Sequence, residues 1–282
     1  MKRNLLKLTQ YPAPVRLGLF IITLLVCWLP IATPLYFLIP NPNTLTILTM
    51  GLLFGEFLLL LRWWGQNLYR EPRLFKRYGL QGTRQNSLDL LKGLIIGVSF
   101  ALTLFTLEGW LGWVEFQSPS KELPRIILEG FVSAIGVGLA EEFVFRGWLL
   151  DELQRDYSLK VSLWADAIIF ASLHFLKPLS EMIRTLPQFP GLVLLGLTLV
   201  WGKRSHGNRL GLPIGLHGGL VWGYYIINVG QLVKYSNQVS PWITGVDGNP
   251  IAGVMGLLFL GVLAFWMRKK LSHVPLNNSK KD

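Results

Sequence analysis

The sequence predicts an all-α, polytopic membrane protein, and three observations carry that reading. Of its 282 residues 51% are hydrophobic and 15% charged, with a mean hydropathy of +0.42, a balance unlike that of an ordinary water-exposed globular domain. The apolar residues collect in eight runs, against a hydrocarbon thickness of about 30 Å. The basic residues fall in alternate connections between those runs rather than in one patch.

In chain order the runs cover 15–39, 45–64, 90–114, 126–153, 159–176, 189–203, 211–233 and 251–267, and each reads as a membrane helix. The first follows a basic Met1–Gln10 segment but is too long for a signal-peptide core and lacks a small-x-small cleavage site, so it is expected to be retained. The fifth and sixth are the least regular, because Pro178, Pro187 and Pro190 crowd their connection and the sixth run is short. Of 27 Lys and Arg, only Lys121, Arg125, Lys177, Arg184 and Lys234 fall on one side; the other 22 fall on the opposite side, which places both termini in the cytoplasm. The net charge of +11 therefore reflects membrane orientation, and no nucleic-acid partner is expected. Losing one helix would invert every later connection, so an even number is favoured.

The expected organisation is an N-terminal three-helix region at 1–119, a second helical region at 120–267 and a basic cytoplasmic tail at 268–282, frayed from Asn277. The single cysteine, Cys27, excludes a disulfide framework and a Cys-rich metal site. Trp63, Trp64, Trp110, Trp113, Trp148, Trp201, Trp242 and Trp266 fall at expected helix ends, as interfacial anchors do.

Three polar intrusions interrupt the second region. Glu141, Glu142 and Arg146 lie in the otherwise apolar stretch from Gly130 to Leu150, where unpaired charge in lipid costs several kcal/mol. At about 100° per residue Glu142 and Arg146 share a face one turn apart, while Glu141 points elsewhere and has no local partner. That makes Glu141 a candidate proton acceptor or ligand facing a polar cavity. The second intrusion is Phe170-Ala171-Ser172-Leu173-His174, and the third is His217, flanked by Gly215, Gly218 and Gly219. A lone histidine on an apolar helix is more often structural than catalytic; three intrusions on three helices argue together.

Their levels can be compared. Helices four and five turn near Tyr157, with Glu141 16 residues before it and His174 17 after, so both should lie roughly 25 Å from the tip. His217 lies eight residues beyond Arg209, about 12 Å in if that arginine marks the boundary. The levels agree if the hairpin carrying Asp151, Glu152, Arg155 and Asp156 projects about two turns into the cytoplasm. Asp166, two turns before His174, is a candidate to orient its ring. Glu129 is expected near the outer interface, and Glu56 is a lone acid.

The order Glu-Glu-x-x-x-Arg (Glu141, Glu142, Arg146), Phe-x-x-x-His (Phe170, His174) and His217 on successive helices resembles the CPBP family, the CAAX proteases and bacteriocin-processing enzymes also called Abi. The resemblance covers about 120–267, with the first half similar by hydropathy alone. It implies an intramembrane endopeptidase acting on a membrane-associated polypeptide, prenylated or a leader peptide; the chain is expected in a plasma or thylakoid-type membrane, with its site open to the cytoplasm. Glu141 is then the base, His174 shares the water and His217 is the opposing donor, with Glu142, Arg146 and Phe170 in support. A metal version uses Glu141, His174 and His217 as ligands of zinc or another divalent ion, with water in the fourth position.

One position departs from the family pattern. The third motif usually continues to Asn or Asp four residues later, where this chain has Val221, which offers neither a ligand nor a donor. Asn228 and Asn249 are the candidates to supply that group. Two rival readings remain: an inactive relative acting as an immunity or scaffold protein, for which Val221 argues, and a proton-coupled transporter, against which stands the absence of a visible inverted repeat.

Overall fold

The computed structural model describes residues 8–273. It is an all-α polytopic membrane protein, with a helix on each of the eight apolar runs: α1 (Ala13–Leu38), α2 (Pro42–Trp64), α3 (Arg84–Trp110), α4 (Leu123–Glu142), α5 (Leu159–Leu173), α6 (Phe189–Ser205), α7 (Gly211–Val229) and α8 (Val254–Ser272). Among the described residues five helical stretches are long and apolar enough to cross a membrane: Ala13–Leu38, Pro42–Tyr69, Arg84–Trp110, Leu123–Asp156 and Leu179–Ser205. α5, with 15 residues, is about 22 Å long.

Helix ends follow local chemistry. Asn41 Oδ1 accepts from Thr44 N at 3.0 Å to start α2, Thr83 Oγ1 accepts from Asn86 N to start α3, and Ser158 Oγ accepts from Val161 N to start α5, each satisfying a first-turn amide. The prolines before α6 occupy starts rather than interiors: Pro178 precedes a short helix, Leu179–Thr185, and Pro190 lies in the first turn of α6. That short helix was not expected. Nor was the small sheet in which β1 (Val114–Phe116) pairs antiparallel with β2 (Val233–Tyr235), Val114 opposite Tyr235. Of the expected tail, 268–272 continues α8 and residues from 274 lie outside the described range, as do Met1 to Lys7.

The chain forms two compact units. In the first, Met1–Arg77 with Glu152–Tyr157, Phe20 of α1 packs edge-on to Phe57 and Trp64 of α2, with centroids 5.7 and 5.3 Å apart. Buried Arg16 pairs with Glu152 at 3.1 Å and Asp156 at 3.2 Å, and Tyr69 donates to Glu152 at 2.9 Å. Trp64 is therefore core rather than an interfacial anchor, and so in the second unit is Trp148.

The second unit, Tyr78–Asp151 with Ser158–Asp282, is organised around α7. Gly211, Gly215, Gly219 and Gly223 repeat every fourth residue and lay one face of α7 against α3, where a Cβ at Gly215 would run into the Leu90 carbonyl and one at Gly219 into that of Leu94. Backbones approach this closely only when small residues line the contact. A neighbouring face meets α4, with Gly138 against Ile214 and Gly218 against Ala134. At its start α7 is also held by polar groups, since Gly211 N donates to Asn86 Oδ1 at 2.7 Å and Arg209 pairs with buried Asp89 at 2.6 Å.

This packing separates two glycine substitutions that look alike in sequence. Gly215→Ala is expected to lower the thermal unfolding midpoint in detergent, because overpacking costs about 1–3 kcal/mol. Gly136→Ala on α4 meets nothing within 4 Å and is expected to leave the midpoint unchanged or raise it, since alanine is about 1 kcal/mol the better helix former. Equal responses would contradict the close α3–α7 contact.

Candidate active site

After Glu142 the helix of α4 widens into a π-helical segment, Phe143–Leu149, before resuming as Leu150–Asp156. Such insertions recur at functional sites because they re-aim side chains without ending a helix. Here the widened turn keeps Arg146 Nη1 on Glu142 Oε1 at 3.0 Å, with both residues fully buried. Beyond Glu142, Arg146 Nε faces Asp166 Oδ2 of α5 at 3.5 Å. Lys203 of α6, itself buried, donates to the Arg146 carbonyl. Two acids and two bases thus neutralise one another inside the protein.

This arrangement revises two sequence expectations. Asp166 faces Arg146 rather than His174, whose Nδ1 instead donates to the Phe170 carbonyl at 2.8 Å. Arg16, Arg146 and Lys203, counted with the cytoplasmic charges, are buried and paired. The Lys203 role was missed because a lysine at the end of an apolar run reads as an interfacial cation.

Glu142 Oε1 also receives His217 Nδ1 at 2.9 Å, across 75 residues of chain. Each imidazole therefore has its Nδ1 proton fixed, one by a carbonyl and one by a carboxylate, and turns Nε2 the other way. Both Nε2 atoms converge on Glu141: His174 Nε2 lies 3.8 Å and His217 Nε2 3.9 Å from Glu141 Oε2. That oxygen is buried and has no hydrogen-bond partner in the protein. Phe170 stands among these groups, with the Arg146 guanidinium 4.1 Å from its ring centre and the His174 and His217 rings edge-on at 4.6 and 6.1 Å. Glu141, His174 and His217 thus meet at one level, and Glu142, Arg146 and Phe170 hold them there.

The two histidines face an apolar cavity of about 290 Å³, at the small end of the range for ligand pockets. His174, His217, Phe170, Val221 and Asn249 line it. Asn228 lines a different cavity. Of the two asparagines, Asn249 shares the space of the histidines; its Oδ1 accepts from Ile251 N at 3.3 Å.

Two imidazole Nε2 atoms and a carboxylate are the right chemistry for zinc, but separations of 3.8 and 3.9 Å are wider than the ~3.4 Å that tetrahedral ligands at about 2.1 Å define. Among the described residues no group of three or more His, Cys, Asp or Glu is arranged to hold a metal ion. The same separations suit one water oxygen at about 2.8 Å from both partners.

Fold and site together define a helical membrane protein with a carboxylate and two imidazoles converging inside its bundle. Residues 123–223 match the family model described as Type II CAAX prenyl endopeptidase Rce1-like. That segment, about a third of the chain, holds Glu141, His174 and His217 and is similar to this protease family, in agreement with the CPBP resemblance. No curated protein and no solved structure shows a significant match to the chain.

The ion network makes a stability prediction. Arg146→Met leaves two buried carboxylates against one lysine, and is expected to cost about 3–5 kcal/mol. Adding Asp166→Asn should return part of that loss in a double-mutant cycle measured by unfolding. Strictly additive effects would show that the two side chains do not interact.

Proposed function

We propose that this protein is an intramembrane endopeptidase that cuts a membrane-associated polypeptide by water activated between Glu141 and the two histidines. The observation that supports this reading most directly is the unpartnered Glu141 Oε2 between two Nε2 atoms at 3.8 and 3.9 Å. A water held there donates one proton to Glu141 and is oriented by His174 Nε2. As its oxygen attacks the scissile carbonyl, Glu141 takes that proton, and His217, acting as an imidazolium whose Nδ1–H is held by Glu142, donates its Nε2–H to the developing oxyanion. Glu141 then returns the proton to the leaving amine. Asn249 is the better placed candidate for the group that Val221 lacks, since both line the histidine cavity.

The apolar lining favours a substrate with an apolar segment or lipid anchor next to the cleaved bond. By the distribution of basic residues the termini lie in the cytoplasm.

The test is cleavage of quenched-fluorescent apolar peptides by purified protein. Glu141→Gln is expected to lower kcat by about 10²–10⁴-fold, the range of general acid–base catalysis, with the unfolding midpoint unchanged. A wild type that binds these peptides and cuts none would favour a scaffold instead. Chelation of divalent ions is expected to leave the rate unchanged; a loss restored by zinc would transfer water activation to a metal.

A further inference from the structure

The histidine cavity does not end at its apolar wall. One face of α7 carries His217, Leu220, Val221 and Tyr224 along this cavity, and then Tyr224, Ile227 and Asn228 along a second one of about 550 Å³. Phe105 and Tyr224 line both, so the two chambers adjoin across those side chains. The chemistry changes at the partition. Beyond it the walls carry Gln117, Ser118, Ser120, Asn228, Gln231 and Lys234. Lys234 is the charged side chain among the residues that line this chamber; neither its cross-strand neighbour Glu115 nor buried Glu108, close along α3 to Phe105, lines it.

The partition is pinned but light. Tyr224 and Tyr235 both donate to the Gly248 carbonyl at 3.2 Å, and a neutral hydrogen bond of this kind contributes only about 0.5–1.5 kcal/mol. The far wall is β2, which pairs with β1, and Gln117, whose N donates to Leu232 O at 2.8 Å. A small sheet at the end of a helical bundle thus builds a hydrophilic chamber in line with the reacting groups.

We infer that this second chamber receives the hydrophilic flank of the peptide being cut, with Tyr224 as the gate and Lys234 selecting a flank that carries negative charge. The inference rests on the proteolytic reading and adds its substrate class: an apolar segment at the cleaved bond followed by a short polar, acidic end. The reach is set by α7. His217 and Asn228 are 11 residues apart, about 16 Å along the helix, a distance that an extended chain covers in roughly five residues. This chamber lies at the ends of α3 and α7 remote from Arg84 and Arg209. By the charge-based orientation the flank is therefore held on the non-cytoplasmic side.

Two measurements test this on the full chain with exposed Cys27 replaced by serine. In the first, apolar peptides with polar flanks of two to ten residues, ending in carboxylate or amide, are compared for kcat and KM. A carboxylate preference of about two- to fivefold in KM, the size of a partly exposed ion pair, is expected only for flanks near five residues or longer. It should vanish in Lys234→Gln and reverse toward basic flanks in Lys234→Glu, the change being read in KM. A preference that survives Lys234→Gln, or none at any length, overturns the inference.

The second measurement needs no cleavage. In Glu141→Gln carrying Ser118→Cys, bound peptide with a flank of about five residues or longer is expected to slow maleimide labelling at least fivefold, and a flank of two residues is not. Equal labelling with both, while anisotropy reports both bound, overturns the inference. Protection without any wild-type cleavage would uphold the chamber and overturn the proteolytic reading.

Discussion

A single buried oxygen, Glu142 Oε1, accepts from Arg146 one turn along its own helix segment and from His217 on α7, and the geometry of the site depends on it. A lone carboxylate could not be kept charged at this depth, because desolvation would outweigh anything else that it contributes. Arg146 makes the charge tenable, Asp166 faces Arg146 in turn, and Lys203 donates to the Arg146 backbone carbonyl. The result ties α4, α5, α6 and α7 to one point. With Nδ1 of His217 committed there, the ring has little choice about where Nε2 points.

The packing of α7 against its neighbours accompanies that bond. Glycines at every fourth position bring its backbone onto α3, and Gly218 with Gly138 brings it onto α4. The remaining face, from His217 to Asn228, is left for the cavities. Helix packing and active-site geometry are thus consequences of the same spacing, since a four-residue repeat on one side of a helix fixes which residues lie on the other.

Much of this was legible in the sequence because it is local. The apolar runs became helices since length and hydropathy decide that without reference to tertiary partners, and even the troublesome prolines proved to mark helix starts. The 100° rule separated Glu141 from Glu142, and counting residues from the Tyr157 turn put Glu141 level with His174. What escaped was set by distant contacts or by departures from regular geometry. The widened turn at Phe143–Leu149 has no composition signal. The partner of Asp166 depends on which way α5 is rotated, and β1 and β2 are three residues each and more than 100 residues apart in the chain. Trp64 and Trp148 sit at helix ends, where position alone does not distinguish an anchor from a core residue.

The two neighbouring glutamates show how one sequence pattern divides structure from chemistry. Both carry the same group and differ by one residue, hence by about 100° around the helix. Glu142 faces Arg146 and His217, and its Oε1 is engaged with both; moving a proton onto it would undo the pairs that hold the site. Glu141 faces the histidine Nε2 atoms at distances too long for direct bonds, so its Oε2 can gain and lose a proton without disturbing any buried partner. A base must be able to change its charge, and an anchor must not. In the proposed mechanism Glu142 is the anchor inside the ion network and Glu141 the base just outside it, so that one turn of helix supplies both.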